Sequence, residues 1–394
     1  MSERRAVSGW NFIGLAMLAL TPGVVLYLVG FESPDPIRAL LYGITIIGAA
    51  FVLSWAAEVV QMDFSQSLAL ALLALIAILP EYIVDATFAW LAAEDPAYAG
   101  YAVANMTGAN RLLIGIAWPL VVFLVFLRFR RRFIELEEGH GFELVVLLAA
   151  TLYAFILPFK GSISLIDLAF LGGLFVFYMW RIARIPAEQP HLVGPARLIG
   201  DLSPYLRRTV TAIMALGAAA AILLVAKPFA TSLVATGVNF GIDEFLLVQW
   251  LAPLASESPE FVVVALFAWH GAATPALGTL ISSKINQWTL LVAMLPLIYS
   301  IALGAPDVLP LDSRQREEVF LTAAQSLFAV ALLLDLRLSM IGAGILFILF
   351  VVQAAVPETR LIVSVIYLVF AIIALIIGRH HILNAFRWVR SKEA

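Results

Sequence analysis

The chain has 394 residues, of which 62% are hydrophobic and only 13% are charged. Soluble domains are about 45–50% apolar and about 25% charged, so this composition excludes an ordinary water-soluble globule. The chain has no cysteine, which excludes disulfide frameworks and thiolate metal sites, and its net charge of −3 offers no basic face to nucleic acid. The composition indicates a polytopic α-helical membrane protein whose solvent is the lipid bilayer.

The hydropathy pattern predicts twelve membrane spans in chain order, because a helix needs about 20 apolar residues to cross the hydrocarbon core. They lie at residues 11–31, 37–60, 64–92, 98–127, 142–158, 163–181, 205–237, 241–269, 274–302, 318–335, 338–355 and 361–378. The spans at 142–158 and 338–355 are short, so a tilted or re-entrant course is an alternative for both.

The basic residues test this count. With the N-terminus in the cytoplasm, sixteen of the 24 Lys and Arg residues fall in cytoplasmic segments, five in outer loops and three inside spans. This is the bias that the positive-inside rule requires. It predicts a multi-pass protein of the cell membrane with both termini in the cytoplasm.

An internal repeat links two spans. Residues 80–90 read PEYIVDATFAW and residues 259–269 read PEFVVVALFAW, with seven of eleven positions identical. These are the third and eighth spans, so the two copies enter the membrane in opposite directions. Inverted repeats with interrupted helices that meet at the midplane are typical of secondary transporters.

The repeat predicts the organisation of the chain. Residues 37–181 and 205–355 form two inverted five-helix repeats, with Pro-Glu-interrupted helices at the midplane and a cytoplasmic linker at 182–204. Residues 1–36 are an N-terminal tail with a peripheral span, and residues 356–394 are a second peripheral span with a basic cytoplasmic tail.

Ionisable residues inside spans are expensive and usually functional. Glu81 and Glu260 each follow a proline in mid-span, where a freed carbonyl and a carboxylate together can bind a cation. Asp85 and Glu257 lie on the same helix faces as these glutamates, and Ser256 adds a hydroxyl. The alternative is a kinked helix whose glutamate bonds to a neighbouring helix.

The following span in each half is polar at its start. It carries Asn105, Thr107, Asn110 and Arg111 in the first half, and Thr279, Ser282, Ser283, Lys284, Asn286 and Gln287 in the second. Amide, hydroxyl and carboxylate oxygens are hard ligands that suit Ca²⁺ or Na⁺. The alternative is that these groups only pack helices together.

These motifs resemble those of the sodium/calcium exchanger family, in the calcium/cation antiporter superfamily. Each repeat of that family carries a signature like G-T-S-x-P-E and, one helix later, G-N-x-x-G-S-N. Here the first pair reads Ala77 to Glu81 and Asn105 to Asn110, and the second reads Ala255 to Glu260 and Gly278 to Lys284. The chain departs from the pattern at Ile78, Leu79 and Thr279, and it adds acids and bases, so it is a divergent member.

The resemblance implies a transporter rather than an enzyme, with two inverted five-helix repeats and no cofactor. By position, Glu81, Glu260 and Asn105 would bind Ca²⁺, and the hydroxyl and amide residues would complete sites for Ca²⁺ and Na⁺. The implied function is exchange of Ca²⁺ for Na⁺ or H⁺ by alternating access. Its partners would be small inorganic cations and the lipid bilayer. An intramembrane enzyme and a channel are alternatives from other classes.

Lys284 and Arg111 leave two interpretations open. Either they neutralise Asp85 and Glu257 as buried ion pairs, or they replace bound cations and change the coupling ion. The second interpretation allows a monovalent cation/proton antiporter, in which Asn110, Asn286 and Gln287 would belong with Lys284 and Arg111 to the group that serves coupling or charge balance.

Overall fold

The computed structural model of the chain describes residues 2–60, 62–63, 78–137, 139–184, 192 and 194–379, except the side chains of residues 2–8. The chain folds into two compact units. Unit 1 contains residues 1–88 and 179–260, and unit 2 contains residues 89–178 and 261–394. Each unit therefore takes a segment from both halves of the chain.

The described residues are nearly all helical, as predicted. The helices are α1 (Ser2–Val29), α2 (Asp35–Val60), α3 (Leu79–Leu91), α4 (Ala97–Phe129), α5 (His140–Lys160), α6 (Leu165–Ile182), α7 (Pro195–Gly200), α8 (Pro204–Phe240), α9 (Glu244–Trp269), α10 (Ala273–Leu303), α11 (Ser313–Leu332), α12 (Met340–Ala355) and α13 (Arg360–Ile377).

A helix lies at each of the twelve predicted spans. Within the described part of the chain, nine helices are long and apolar enough to cross a membrane, and α5, at the short span 142–158, is one of them. The other three differ for separate reasons. Residues 64–77, before α3, lie outside the described residues. The first turns of α11 carry four charged residues, and α12 has 16 residues, which span only about 24 Å.

In unit 1, α2 packs against α1, α7 and α8. Small residues allow this close approach: a Cβ added at Gly48 of α2 would lie 2.6 Å from the backbone nitrogen of Leu20 in α1. Beyond the end of α2, Asp63 accepts hydrogen bonds from Arg207 Nη2 at 2.6 Å and from Arg208 Nε at 2.9 Å. The Arg207 guanidinium lowers the pKa of the Asp63 carboxyl. The two ion pairs join the loop after α2 to the start of α8.

In unit 2, α11 packs against α13, α5 and α4, while α10 packs against α5 and α6. Two short antiparallel ribbons join its loops. Strand β1 (Phe133–Glu135) pairs with β4 (Arg337–Ser339), and β2 (Ser162–Ile163) pairs with β3 (Leu309–Pro310). The all-helical prediction missed both ribbons, because strands of two or three residues leave no period-two pattern.

The ribbons bear on the topology. The β1–β4 pair places the loop after α4 beside the loop after α11, and the β2–β3 pair places the loop after α5 beside the loop after α10. The alternation of basic residues assigns the first two loops to the cytoplasm and the last two to the outside. Each ribbon therefore joins loops that were predicted to lie on the same side of the membrane.

We expect single cysteines to report these sides directly, because the chain has no cysteine of its own. An Arg131→Cys variant should react with a membrane-impermeant maleimide only after cells are permeabilised, whereas Asp307→Cys should react in intact cells. Both positions are exposed, so access within the protein does not limit labelling. Labelling of position 131 from outside would invert the predicted topology.

Candidate functional site

The carboxylates of the two Pro-Glu motifs lie in unit 1. Glu81 lies in the first turn of α3, directly after Pro80, and is only 2% exposed. Asp85 follows one turn later and is fully buried. In α9, Ser256 and Glu257 are buried and Glu260 is partly buried. Four acidic groups thus lie in helices at predicted spans, where a carboxylate is stable only beside compensating groups.

The predicted interruption at the prolines differs between the two motifs. α9 continues without a break through Pro253 and Pro259. Contrary to the prediction, the second Pro-Glu helix is therefore not interrupted. Membrane helices tolerate proline where nearby hydroxyls satisfy the freed carbonyls. Ser258 Oγ lies 3.5 Å from the Ala255 carbonyl, which is the group that Pro259 leaves without its donor. α3 begins at Leu79, and residues 64–77, which precede Ile78, lie outside those described.

The amide and hydroxyl groups of the next spans lie in unit 2. On α4, Asn105, Thr107 and Asn110 are fully buried. On α10, the buried residues are Lys284, Asn286 and Gln287, whereas Ser282 and Ser283 are partly buried and Thr279 is exposed.

Several hydroxyls bond to their own helix. Thr107 Oγ1 donates to the Val103 carbonyl at 2.7 Å, Thr279 Oγ1 to Pro275 at 3.0 Å, and Ser256 Oγ to Ala252 at 3.3 Å. A hydroxyl that donates its hydrogen bond to a backbone carbonyl still has lone pairs with which it can accept a hydrogen bond or bind a cation.

Asn110 and Lys284 are counterparts in the two repeats, and they touch. Lys284 Nζ donates to Asn110 Oδ1 at 2.5 Å, across a separation of 174 residues. The same offset relates Asn105 to Thr279. It also relates two five-residue π-helical segments, Leu113–Ala117 in α4 and Gln287–Leu291 in α10. Such π segments are rare and often occur at functional sites. The internal symmetry therefore brings equivalent positions of the two motifs into direct contact within unit 2.

Lys284 makes a second contact with its own helix. Its ammonium lies 4.4 Å from the centre of the Trp288 ring, and the residue is fully buried. A desolvated cation over an indole face is attracted by about 2 kcal/mol. The amide oxygen and the indole thus hold the ammonium in one place.

Arg111 has a different partner from the one predicted. Its Nη2 pairs with Glu318 Oε2 at 2.6 Å, and its Nη1 donates to Gln353 Oε1 at 2.7 Å. Arg360 Nε reaches the other Glu318 oxygen at 2.7 Å. The prediction that Arg111 neutralises Asp85 or Glu257 is therefore corrected, because Arg111 pairs with Glu318, a carboxylate that it shares with Arg360 within unit 2. The same prediction for Lys284 stays a prediction.

We expect Glu318→Ala to destabilise the protein by about 3–5 kcal/mol, since it leaves Arg111 buried beside Arg360 without the shared carboxylate. Unfolding of the detergent-solubilised protein by heat would measure the loss, with Glu317→Ala as the matched control on the same turn of α11. The double variant Arg111→Met/Glu318→Leu should recover part of the stability, because it removes the fully buried pair and leaves only the partly exposed Arg360 without its carboxylate. Equal stability of Glu318→Ala and the parent would contradict the structural role.

A chain of polar side chains leads to Ser282, and sequence reasoning missed three of its members. His140 Nδ1 lies 2.8 Å from Glu143 Oε2, Tyr178 Oη donates to Glu143 Oε1 at 3.0 Å, and Ser282 Oγ lies 2.7 Å from Tyr178 Oη. The signal was available, because Glu143 is an ionisable residue within the predicted span 142–158.

No group of three or more His, Asp or Glu side chains is arranged to hold a metal ion among the residues that the structure describes. The candidate ligands are instead single carboxylates supplemented by amides, hydroxyls and carbonyls. These ligands suit a hard cation that is transported, because a transport site must release the ion as well as bind it.

Comparison with solved structures gives matches of high and of low sequence identity. The crystal structure of the H⁺/Ca²⁺ exchanger CAX has 42% sequence identity and a TM-score of 0.93, and the match covers 98% of each chain. The structure of native YfkE has 15% identity and a TM-score of 0.64, covering 87% of this chain and 98% of that one. The sodium-calcium exchanger NCX_Mj has 15% identity and a TM-score of 0.54, covering 80% and 96%. The last two likenesses concern the fold alone.

A comparison with curated proteins finds no match. The family model described as sodium/calcium exchanger protein matches residues 36–183 and 210–357, which together make up most of the chain. The motifs, the helical fold and this match agree, and the chain belongs to the sodium/calcium exchanger protein family.

Proposed function

We propose that this protein is a secondary active antiporter that moves Ca²⁺ across the cell membrane in exchange for H⁺ by alternating access. Family membership supports cation exchange, and the 42% identity to CAX, an H⁺/Ca²⁺ exchanger, supports these two ions. Both termini would face the cytoplasm, as the distribution of basic residues predicts. Residues 37–181 and 205–355 would be the two exchanging repeats, with residues 182–204 as the cytoplasmic linker.

The observation that carries the choice of H⁺ over Na⁺ is the contact between Lys284 and Asn110. Asn110 ends the first G-N-x-x-G-S-N-like motif, and its amide oxygen is a hard ligand of the kind that Na⁺ uses. Lys284 Nζ is bonded to that oxygen at 2.5 Å. A tethered ammonium therefore takes the place that a monovalent ion would need, while a lysine can itself release and rebind a proton.

The proposed roles follow from chemistry and position. Glu81 and Glu260 bind Ca²⁺ together with Asn105. Asp85 and Glu257 add charge, and the remaining oxygen ligands are Ser256, Thr107, Thr279, Ser282 and Ser283. Asn286 and Gln287 assist Lys284 and Asn110 in coupling through their uncharged amides, whereas Arg111 stabilises unit 2 through Glu318.

Charge counting supports coupling to protons. The four carboxylates carry −4 when ionised, and Lys284 returns +1. Glu318 is shared by Arg111 and Arg360, so this cluster adds a further +1. The remainder of −2 is balanced either by one Ca²⁺ or by two monovalent charges, and protons on buried carboxylates supply such charges readily.

Uptake of ⁴⁵Ca²⁺ into proteoliposomes tests the proposal. A pH gradient imposed without Na⁺ should drive uptake, and a Na⁺ gradient at clamped pH should not. Uptake driven by Na⁺ alone would assign the protein to Na⁺/Ca²⁺ exchange. Proton-coupled flux of Na⁺ or K⁺ without any Ca²⁺ flux would assign it to monovalent cation/proton antiport. A flux that follows the Ca²⁺ gradient without coupling would indicate a channel.

A further inference from the structure

We propose that Glu143 and Tyr178 are positioning residues of the transport site, which set the direction of the Ser282 hydroxyl and make it respond to protonation at the beginning of α5. The proposal rests on the proposed function, because it assumes that Ser282 faces a transported cation. It concerns residues of unit 2 alone.

The side chains of His140, Glu143, Tyr178 and Ser282 form a continuous hydrogen-bonded path, which runs from a partly exposed end at His140 into the buried interior. The His140 side chain is 25% exposed and that of Glu143 is 9% exposed, while Tyr178 is 3% exposed. The ring of His140 also lies against α10: a Cβ added at Gly278, one turn before Ser282, would lie 2.5 Å from His140 Cε1. The beginning of α5 is therefore held closely against the second polar motif.

The direction of the hydrogen bonds follows from counting protons. An ionised carboxylate only accepts, so Tyr178 donates its single proton to Glu143 Oε1. The bond between Tyr178 and Ser282 must then be donated by Ser282. With its proton directed at Tyr178, Ser282 presents only lone pairs to any other neighbour. A serine oxygen in this state is a ligand for a hard cation.

A proton on Glu143 reverses this direction. The new carboxylic acid donates to Tyr178 Oη, the Tyr178 proton rotates towards Ser282 Oγ, and the Ser282 proton turns away from Tyr178. No O–H bond of Tyr178 or Ser282 breaks, and the added proton remains on Glu143. Ser282 now presents a donor, which repels a cation. Proton uptake at Glu143 and cation binding at Ser282 therefore oppose each other, and by linkage each weakens the other equally.

The helices that pack against α5 are the sources from which charged or titratable groups can reach the His140–Glu143–Tyr178–Ser282 path. His140 bonds to Glu143 from the same helix, and Glu137, in the loop before α5, acts on His140 through space. From α6 comes Tyr178, and α10 adds Lys284 two residues after Ser282. α11 also packs on α5, but Arg316 contacts α5 at its other end, where it donates to the Pro158 carbonyl. The groups that bear directly on Glu143 are thus His140 and Tyr178.

The test measures Ca²⁺ transport in proteoliposomes as a function of Ca²⁺ concentration and pH. Tyr178→Phe should raise KM for Ca²⁺ by up to about tenfold, the size of one lost hydrogen bond, with little change in kcat. It should also flatten the dependence of KM on pH. Tyr153→Phe is the matched control, because Tyr153 likewise donates to a carboxylate, Asp167 Oδ1 at 2.7 Å, in the same unit.

Glu143→Gln gives an independent arm. The glutamine amide can donate to Tyr178, which holds Ser282 in the proton-outward state at every pH. We expect a raised KM that no longer varies with pH. Adding Tyr178→Phe to a Ser282→Ala variant should have no further effect on KM, because the positioned group is already missing.

The outcomes separate this inference from the proposed function. If the parent protein takes up no Ca²⁺ under a pH gradient, the proposed function fails. If the parent takes up Ca²⁺ but Tyr178→Phe and Glu143→Gln retain its KM and pH profile, the positioning role alone is overturned. Thermal unfolding in detergent identifies a variant that is merely misfolded, and the other variant then decides.

Discussion

Replacing Glu81 or Glu260 with glutamine is expected to reduce Ca²⁺ transport by at least about 100-fold while the protein remains folded in the membrane. Glutamine preserves the size of the side chain and one carbonyl oxygen, but removes the charge. A desolvated divalent ion that loses one carboxylate partner loses about 3–5 kcal/mol, which corresponds to this factor or more. Initial rates of ⁴⁵Ca²⁺ uptake under a fixed pH gradient measure the effect.

Two exposed or peripheral carboxylates serve as controls. Glu94 lies just beyond α3 and Glu244 lies in the first turn of α9, so each shares its region of chain with one of the tested residues. Glu94→Gln and Glu244→Gln should transport at nearly the parent rate. Substantial transport by either Glu81→Gln or Glu260→Gln would show that the glutamate has a structural role, as the kinked-helix interpretation requires.

The sequence was sufficient to predict the helical class, the position of each long helix and the family. These features depend on local composition and on motifs of about six residues, which a single sequence displays directly. The repeated Pro-Glu motif was recognisable because seven identities in eleven positions do not arise readily in an apolar chain.

Partners separated by long stretches of chain could not be predicted in the same way. Arg111 pairs with Glu318, over 200 residues away, and the sequence offers several buried acids with equal claim. The choice depends on how α4, α11 and α13 pack, which periodicity does not specify. Glu318 is the first residue of the predicted span 318–335, and a charge at the end of a span is usually interpreted as lying in the membrane interface rather than in the protein interior.

The π-helical segments were missed for a related reason. Leu113–Ala117 is apolar and Gln287–Leu291 contains Gln287 and Thr289, so the two segments share no composition that separates a π turn from an α turn. Their equivalent placement became visible only with the contact between Asn110 and Lys284. The offset of 174 residues between the motifs was present in the sequence, but only the structure brings the two positions together.

Replacing Lys284 is the second change with a large expected effect. Under the proposed function, Lys284→Ala should shift the pH dependence of Ca²⁺ exchange and allow Na⁺ to inhibit or drive it. The ammonium leaves Asn110 Oδ1, and this oxygen then becomes available to a monovalent ion. Lys284→Asn should show the Na⁺ effect more strongly, because it restores the amide that the family motif carries at this position. Uptake of ⁴⁵Ca²⁺ at a series of pH values, with and without Na⁺, measures both.

The competing interpretation is that Lys284 only balances buried carboxylates. Its removal would then destabilise the protein by about 3–5 kcal/mol without introducing any response to Na⁺. Thermal unfolding of the same preparation distinguishes the two, and Lys227→Ala, which removes an exposed lysine of α8, controls for the loss of one positive charge. A stable Lys284→Ala protein with the parent pH profile and no response to Na⁺ would contradict both interpretations.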